Sequence, residues 1–192
     1  MISNASKTVL VAAALGLGGC MTMAPIAADG SNAISYVGGA AMYSAKNIVE
    51  NAVNSPEHTT LVAAVKAAGL VDTLSGAGPF TVFAPTNGAF AKLPAGTVDT
   101  LLRPENKAML QSVLTYHVVA GSMTAADLMS AIRAGGGQAN LLTVQGGTLI
   151  ARMQGSGIVL IDTKGGRSQV TQANVMQSNG VIHVTDAVSL PG

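Results

Sequence analysis

Between positions 79 and 90 the chain alternates in polarity and then stops alternating. Phe80, Val82 and Ala84 are separated by Thr81 and Phe83, a period of two that predicts a strand. Pro79 and Pro85 bracket it, where a missing N–H does least harm to a ladder. Thr86 offers a hydroxyl to cap a short helix through Ala89 and Phe90, and Leu93-Pro94 ends it. All three phenylalanines lie in this stretch, so a chain this poor in aromatics is expected to build its core around it.

Upstream the spacing is helical. Asn47 can cap a helix carrying Ile48, Val49, Ala52 and Val53, which Ser55-Pro56 interrupts. Leu61, Val62, Val65, Ala68 and Leu70 then recur at three- and four-residue intervals opposite a solvated Lys66. Downstream, Gly96-Thr97 opens a helix through Val98, Leu101 and Leu102. Pro104 starts another, with Met109, Leu110, Val113 and Leu114 on one face. The run from Thr115 through Tyr116, His117, Val118 and Val119 reads as a strand ended by Gly121. Thr124 and Asp127 form a capping box for a helix through Leu128, Met129 and Ile132, which Gly135-Gly136-Gly137 terminates.

The last third reads as strands at 139–144, 148–153, 158–161, 169–173 and 180–184, punctuated by glycine-rich turns. Helices cluster early and strands late, which favours an α+β fold over an alternating doubly wound one.

The N-terminus is of another kind. Lys7 precedes an apolar run from Thr8 to Leu17 that is too short to span a membrane and reads as a signal-peptide core. Leu17-Gly18-Gly19-Cys20 is similar to a lipoprotein box, in which the cysteine sulfur takes a lipid. Cleavage near Ala28 is the other reading, and both stay open. Residues 1–28 are therefore a leader, 29–43 a flexible tether rich in Gly, Ala and Ser, and 44–192 one domain. Cys20 is the sole cysteine, so no intramolecular disulfide can form.

Charge removes one class of function. Only 10% of the 192 residues are charged and the net charge is +1, which leaves no basic stripe for nucleic acid. The three histidines are scattered, and there is no Gly-x-Ser-x-Gly elbow and no His-x-x-x-His spacing. No enzyme, metal or cofactor is expected. Asp162-Thr163-Lys164-Gly165 reads as a solvated turn, and Met109, Met129, Met153 and Met176 as core fillers.

Three blocks carry a resemblance: Thr81 to Phe90, the Tyr116-His117 pair within Val113 to Val119, and Asn179-Gly180-Val181-Ile182-His183-Val184-Thr185-Asp186. Their order and spacing resemble one complete fasciclin domain over about 44–190. The resemblance implies a wedge-shaped β-sandwich with a helical layer packed on it, in secreted or surface-anchored proteins that mediate adhesion. It also implies partner contacts at Tyr116 and His117, the pair linked to receptor binding in vertebrate matrix relatives. Where those relatives carry an Asp-Ile pair this chain has Asn174-Val175, without the carboxylate that a receptor-bound metal needs. Neighbours on a strand face opposite ways, so at least one of Tyr116 and His117 is expected in the core.

The resulting expectation is an exported, non-enzymatic surface module at the cell surface, in the periplasm or outside the cell. It would bind a protein or glycan and touch a membrane only through a lipid on Cys20. The alternative is a carrier of a small apolar ligand or lipid held between sheet and helices.

Overall fold

The computed structural model describes residues 33–192. The leader and Cys20 lie outside the described residues. The described part begins with a hairpin, β1 Ile34–Val37 and β2 Ala40–Tyr43, where a tether was expected. Gly38 and Gly39 turn it with φ of 56° and 81°, values that favour glycine. The strands are four residues each, too short for a periodic signal. They are held because Val37 and Met42 drop into the core between helices and sheet.

The helices follow their local signals. In α1 (Ile48–Ala52), Asn47 Oδ1 accepts the Glu50 N–H at 2.9 Å and the Glu50 carboxylate accepts the Asn47 N–H at 2.8 Å. A single 3-10 turn, Pro56–His58, leads into α2 (Thr59–Ala68), which Gly69 ends in the left-handed region at φ 72°. After α3 (Val71–Ser75) comes the strand β3 (Phe80–Pro85), then α4 (Asn87–Ala91) with the Thr86 hydroxyl accepting the Ala89 N–H at 3.2 Å. α5 (Thr97–Leu101) and α6 (Lys107–Tyr116) complete the helical half.

The rest is β4 (Val118–Ala120), α7 (Ala125–Ala134) with its Thr124/Asp127 capping box, and β5 to β9. These last are Gln138–Leu142, Thr148–Gln154, Gly157–Ile161, Arg167–Gln177 and Gly180–Thr185.

Seven strands form one sheet in the order β4-β3-β9-β8-β7-β6-β5. All neighbours are antiparallel except β3 and β9, which run parallel from Phe80 opposite Gly180 to Pro85 opposite Thr185. An isolated bridge between Val119 and Thr143 brings the two edge strands together, so the sheet nearly closes on itself. Two register shifts in β8, before Gln172 and before Val175, bend it so that it serves both halves.

Two cores result. One lies between α1–α6, the hairpin and one face of the sheet, with Leu61, Val65, Leu110, Leu114, Val82 and Ile182 among its members. The other lies inside the folded sheet, plugged by Leu128 and Ile132 of α7, and contains Phe83, Tyr116, Leu149 and Leu160.

β3 explains why the alternation of its sequence does not become an alternation of exposure. Val82 and Ala84 enter the first core and Phe83 the second, so residues 81–85 are all buried. A strand covered on both faces has no solvent side. The α+β architecture and the helical layer on a folded sheet agree with the expectation from sequence.

Three local readings do not hold. The strand expected from Thr115 begins only at Val118, because α6 runs on through Tyr116. Met109 and Met176 are exposed, while Met129 and Met153 do pack on the second core. Asp162 is buried: its Oδ1 accepts the N–H groups of Lys164 and Gly166 at 3.0 and 2.7 Å, and its Oδ2 that of Leu190 at 2.9 Å.

Candidate functional site

Tyr116 is the last residue of α6 and His117 its C-cap, so the pair occupies a helix-to-strand corner and does not alternate along a strand. Both are buried. The Tyr116 ring lies against Gly147, and its hydroxyl donates to the Thr148 carbonyl at 2.7 Å. The turn between β5 and β6 roofs this corner: Gln145 N–H donates to the Thr115 carbonyl and Val144 N–H to that of Val118.

His117 is a crosslink. Its Nδ1–H donates to the Val113 carbonyl at 2.8 Å, and its Nε2 accepts the Ser189 N–H at 3.0 Å. A carbonyl only accepts and an amide N–H only donates, so the two partners fix the neutral tautomer. Burial pushes its pKa below the usual histidine value. The imidazole thereby pins the C-terminal segment to the end of α6.

Asn174 lies in the second register shift of β8, beside His183, and Val175 just after it pairs with Ile182. Asn174 is exposed and takes a left-handed φ of 60°. Its Oδ1 accepts the Ala125 N–H at 2.7 Å, which satisfies a free donor in the first turn of α7. Val175 points the other way and is wholly buried.

His183, which the sequence left without a role, joins these parts. Its Nε2–H donates to the Met123 carbonyl at 2.8 Å, its Nδ1 faces the Asn174 N–H at 3.4 Å, and its ring stacks on Phe83 at 5.6 Å. Phe83 N–H in turn donates to the His117 carbonyl at 2.9 Å.

Asn179, at the turn before β9, ties that turn to α1 and to the end of α3. Its Oδ1 accepts the Ile48 N–H at 3.0 Å, and its Nδ2 donates to the carbonyls of Leu74 and Gly76 at 2.8 and 2.9 Å. The signal in the sequence was the Asn-Gly pair itself, which also suits a plain turn.

The ring nitrogens of His117 and the carboxylate of Asp162 are engaged in hydrogen bonds to the backbone. Ser189, His117 and Asp162 come near one another, but Ser189 presents its backbone N–H to the ring and Val113 occupies Nδ1. Asp162 spends its oxygens on amides. Among the described residues no group of three His, Cys, Asp or Glu side chains is placed to hold a metal.

The buried histidines carry a pH dependence. His58, His117 and His183 all have pKa values lowered chiefly by burial. The unfolded chain then binds more protons than the folded one below about pH 6.5, so stability rises with pH in that window and is flat above it. Each histidine contributes up to about 1.4 kcal/mol per pH unit below that point. His117→Ala is expected to lower stability by roughly 1–3 kcal/mol and to flatten this acid slope by one proton. Thermal melts at several pH values will read both, and an unchanged melting temperature at neutral pH would sink the crosslink.

A family model described as the fasciclin domain matches residues 56–191. The chain belongs to the fasciclin domain family. The protein sll1483 of Synechocystis is 46% identical over 185 residues, covering 96% of this chain and 93% of its own length. The cell surface glycolipoprotein MPB83 of Mycobacterium bovis is 51% identical over 75 residues, 36% of this chain and 33% of its own. A FAS1 domain pair from the insect cell adhesion molecule Fasciclin I superposes with a TM-score of 0.66 at 20% identity, over 74% of this chain and 50% of the pair. The last is a likeness of fold. In fasciclin terms, the three blocks of the sequence meet where β3, β9 and the Tyr116–His117 corner adjoin.

Proposed function

We propose that this fasciclin domain is an exported, non-enzymatic module that binds an extracellular or envelope protein or glycan through its outer surface, held at the membrane by a lipid on Cys20. The observation that carries this reading is the filled interior. The apolar cavity under α1 and α2, lined by Val49, Leu61, Val65 and Val82 among others, measures about 40 Å³. That is room for a water or two, whereas small-molecule pockets run to roughly 300–1,000 Å³. A carrier role would need the helices to part, which weighs against the alternative.

The surface offers a place to bind. Leu142 is 68% exposed and Val144 46%, side by side on the turn that roofs the Tyr116–His117 corner. Tyr116 acts from beneath, its hydroxyl bonded to the Thr148 carbonyl, while His117 ties the end of α6 to the C-terminal segment. Val175 is likewise structural, and Asn174 is the member of the four that a partner can reach. An apolar pair of this kind suits a protein partner better than a glycan.

A cell-attachment or pull-down assay with the mature chain tests the reading. Leu142→Asp is expected to weaken capture several-fold with no change in melting temperature, because the side chain is exposed. Absence of binding to any envelope, matrix or host surface by the unmutated chain would overturn it. The names of the cell surface glycolipoprotein and of the cell adhesion molecule support a surface location for this chain as well.

Among the described residues no helix is long and apolar enough to cross a membrane. Cys20→Ser is accordingly expected to move the protein from the membrane to the soluble fraction. An unaltered distribution would reject lipidation and leave cleavage near Ala28.

A further inference from the structure

The hairpin at the start of the described chain has an outer face that nothing among the described residues covers. The register places Ile34 opposite Tyr43 and Tyr36 opposite Ala41, so these four share one side, while Val37 and Met42 enter the core from the other. Ile34 is 49% exposed, Tyr36 64% and Tyr43 37%. Two of the protein's three tyrosines therefore stand on this one small surface. Lys46 rims it, its Nζ 5.0 Å from the centre of the Tyr43 ring.

The face is rigid. Tyr43 exchanges two hydrogen bonds with the Asn51 side chain at 2.9 and 2.7 Å, and Gln172 Nε2 donates to the Tyr36 carbonyl at 2.8 Å. Asn51 is itself bonded to Gln177 of β8. Such anchoring pre-organises the aromatic side chains, so little order has to be gained on docking.

We propose that this face, Ile34, Tyr36 and Tyr43 with Lys46 at its edge, is a membrane-docking surface that seats the domain on the interface of a lipid bilayer. The proposal rests on the lipid-anchored reading of Cys20. Residues 21–33 alone separate that cysteine from the hairpin, which begins at Ile34. Even fully extended, a stretch of that length spans no more than about 45 Å. The hairpin is then held close to the bilayer.

Its chemistry fits that position. Tyrosine carries an apolar ring and a polar hydroxyl, the combination enriched at membrane–water interfaces, and lysine reaches its ammonium to the headgroups over an apolar stem. Beyond Cys20 the chain has as many acidic as basic residues, so the attraction is not electrostatic and does not require anionic lipid. The contact is small and weak by itself. A short tether raises the local concentration of bilayer to the millimolar range, where a weak contact is populated.

The sole cysteine allows a direct test. The chain from Cys20 onward is coupled through that thiol to a maleimide-headgroup lipid in phosphatidylcholine vesicles containing nitroxide-labelled lipid, and tyrosine emission is recorded. Emission is expected to fall by about half relative to uncoupled protein, Tyr116 being buried and out of reach. High salt should leave this loss unchanged. The Ile34→Ser/Tyr36→Ser double variant should lose most of the quenching while keeping its melting temperature. No quenching of the coupled parent chain overturns the docking face. Quenching removed by salt, or appearing only at high protein density on the vesicle, overturns it in favour of adsorption by charge or contact with a second copy. Chemical coupling supplies the tether in every case, so a cell-derived protein found without lipid on Cys20 by mass spectrometry would defeat the anchored reading and not this measurement.

Discussion

Phe83→Ala is expected to destabilise the domain by about 3–5 kcal/mol, a large part of the roughly 5–15 kcal/mol that holds an ordinary domain together. The ring is wholly buried in the core inside the folded sheet and stacks on His183 at 5.6 Å. Its removal leaves a cavity that α7 cannot fill, since Leu128 and Ile132 are themselves pinned in that core. It also withdraws the packing that orients His183, whose two ring nitrogens link β9 to the segment before α7 and to the bulge of β8. A loss of this size lowers the melting temperature of a domain this long by about 10 °C. Urea denaturation of the parent, Phe83→Ala and Phe80→Ala proteins measures it. Phe80 is only half-buried, so its truncation should lose clearly less. The reverse order would show that the core is not centred on Phe83.

Gly180→Ala is expected to have an effect at least as large, by a different route. A Cβ at this position would stand 2.0 Å from the Phe80 carbonyl oxygen and 2.8 and 2.9 Å from the Phe80 carbonyl carbon and nitrogen. All three are backbone atoms of the neighbouring strand, and φ at Gly180 is 155°. Nothing flexible can move aside. Relief requires β3 and β9 to separate at the first pair of their parallel ladder, next to Asn179 and its bonds to α1 and α3. Overpacking of mobile side chains costs about 1–3 kcal/mol, and a clash with fixed backbone exceeds that range. Poor soluble yield, or a folded fraction unstable to mild urea, is the expected result. Gly165→Ala is the control: its φ is 80° but no atom lies within 4 Å of the added carbon, so it should lose about 1 kcal/mol. Equal losses at the two glycines would mean that close approach of β3 to β9 is not what position 180 protects.

Both substitutions fall in blocks that the sequence singles out, but the sequence alone assigns neither its mechanism. Helix ends were legible where they are written locally. Asn47 with Glu50, Thr86 with Ala89, and Thr124 with Asp127 each complete a cap within three residues, and all three form. The late strands were legible because glycine turns separate them. The hairpin of β1 and β2 was not, since two four-residue strands around Gly38-Gly39 become ordered only when Val37 and Met42 find a core to enter. Of the residues carried over from the resemblance, Tyr116, His117 and Val175 are buried and Asn174 is exposed. Their surroundings were invisible, because exposure depends on what packs against a residue and not on what adjoins it in sequence.

By itself the sequence determined the period, caps and turns of most elements, the succession of helices then strands, and the three ordered blocks that place the chain among fasciclin domains. These are encoded over a few residues each, or in their order. Only the tertiary structure decided that β3 and β9 pair in parallel, that β4 and β5 meet to close the sheet, and that Tyr116 and His117 turn inward at a helix end. The physical reason is range. His117 bonds Ser189 across 72 positions and Asn179 bonds Ile48 across 131, and such contacts follow from the whole chain folding around two cores.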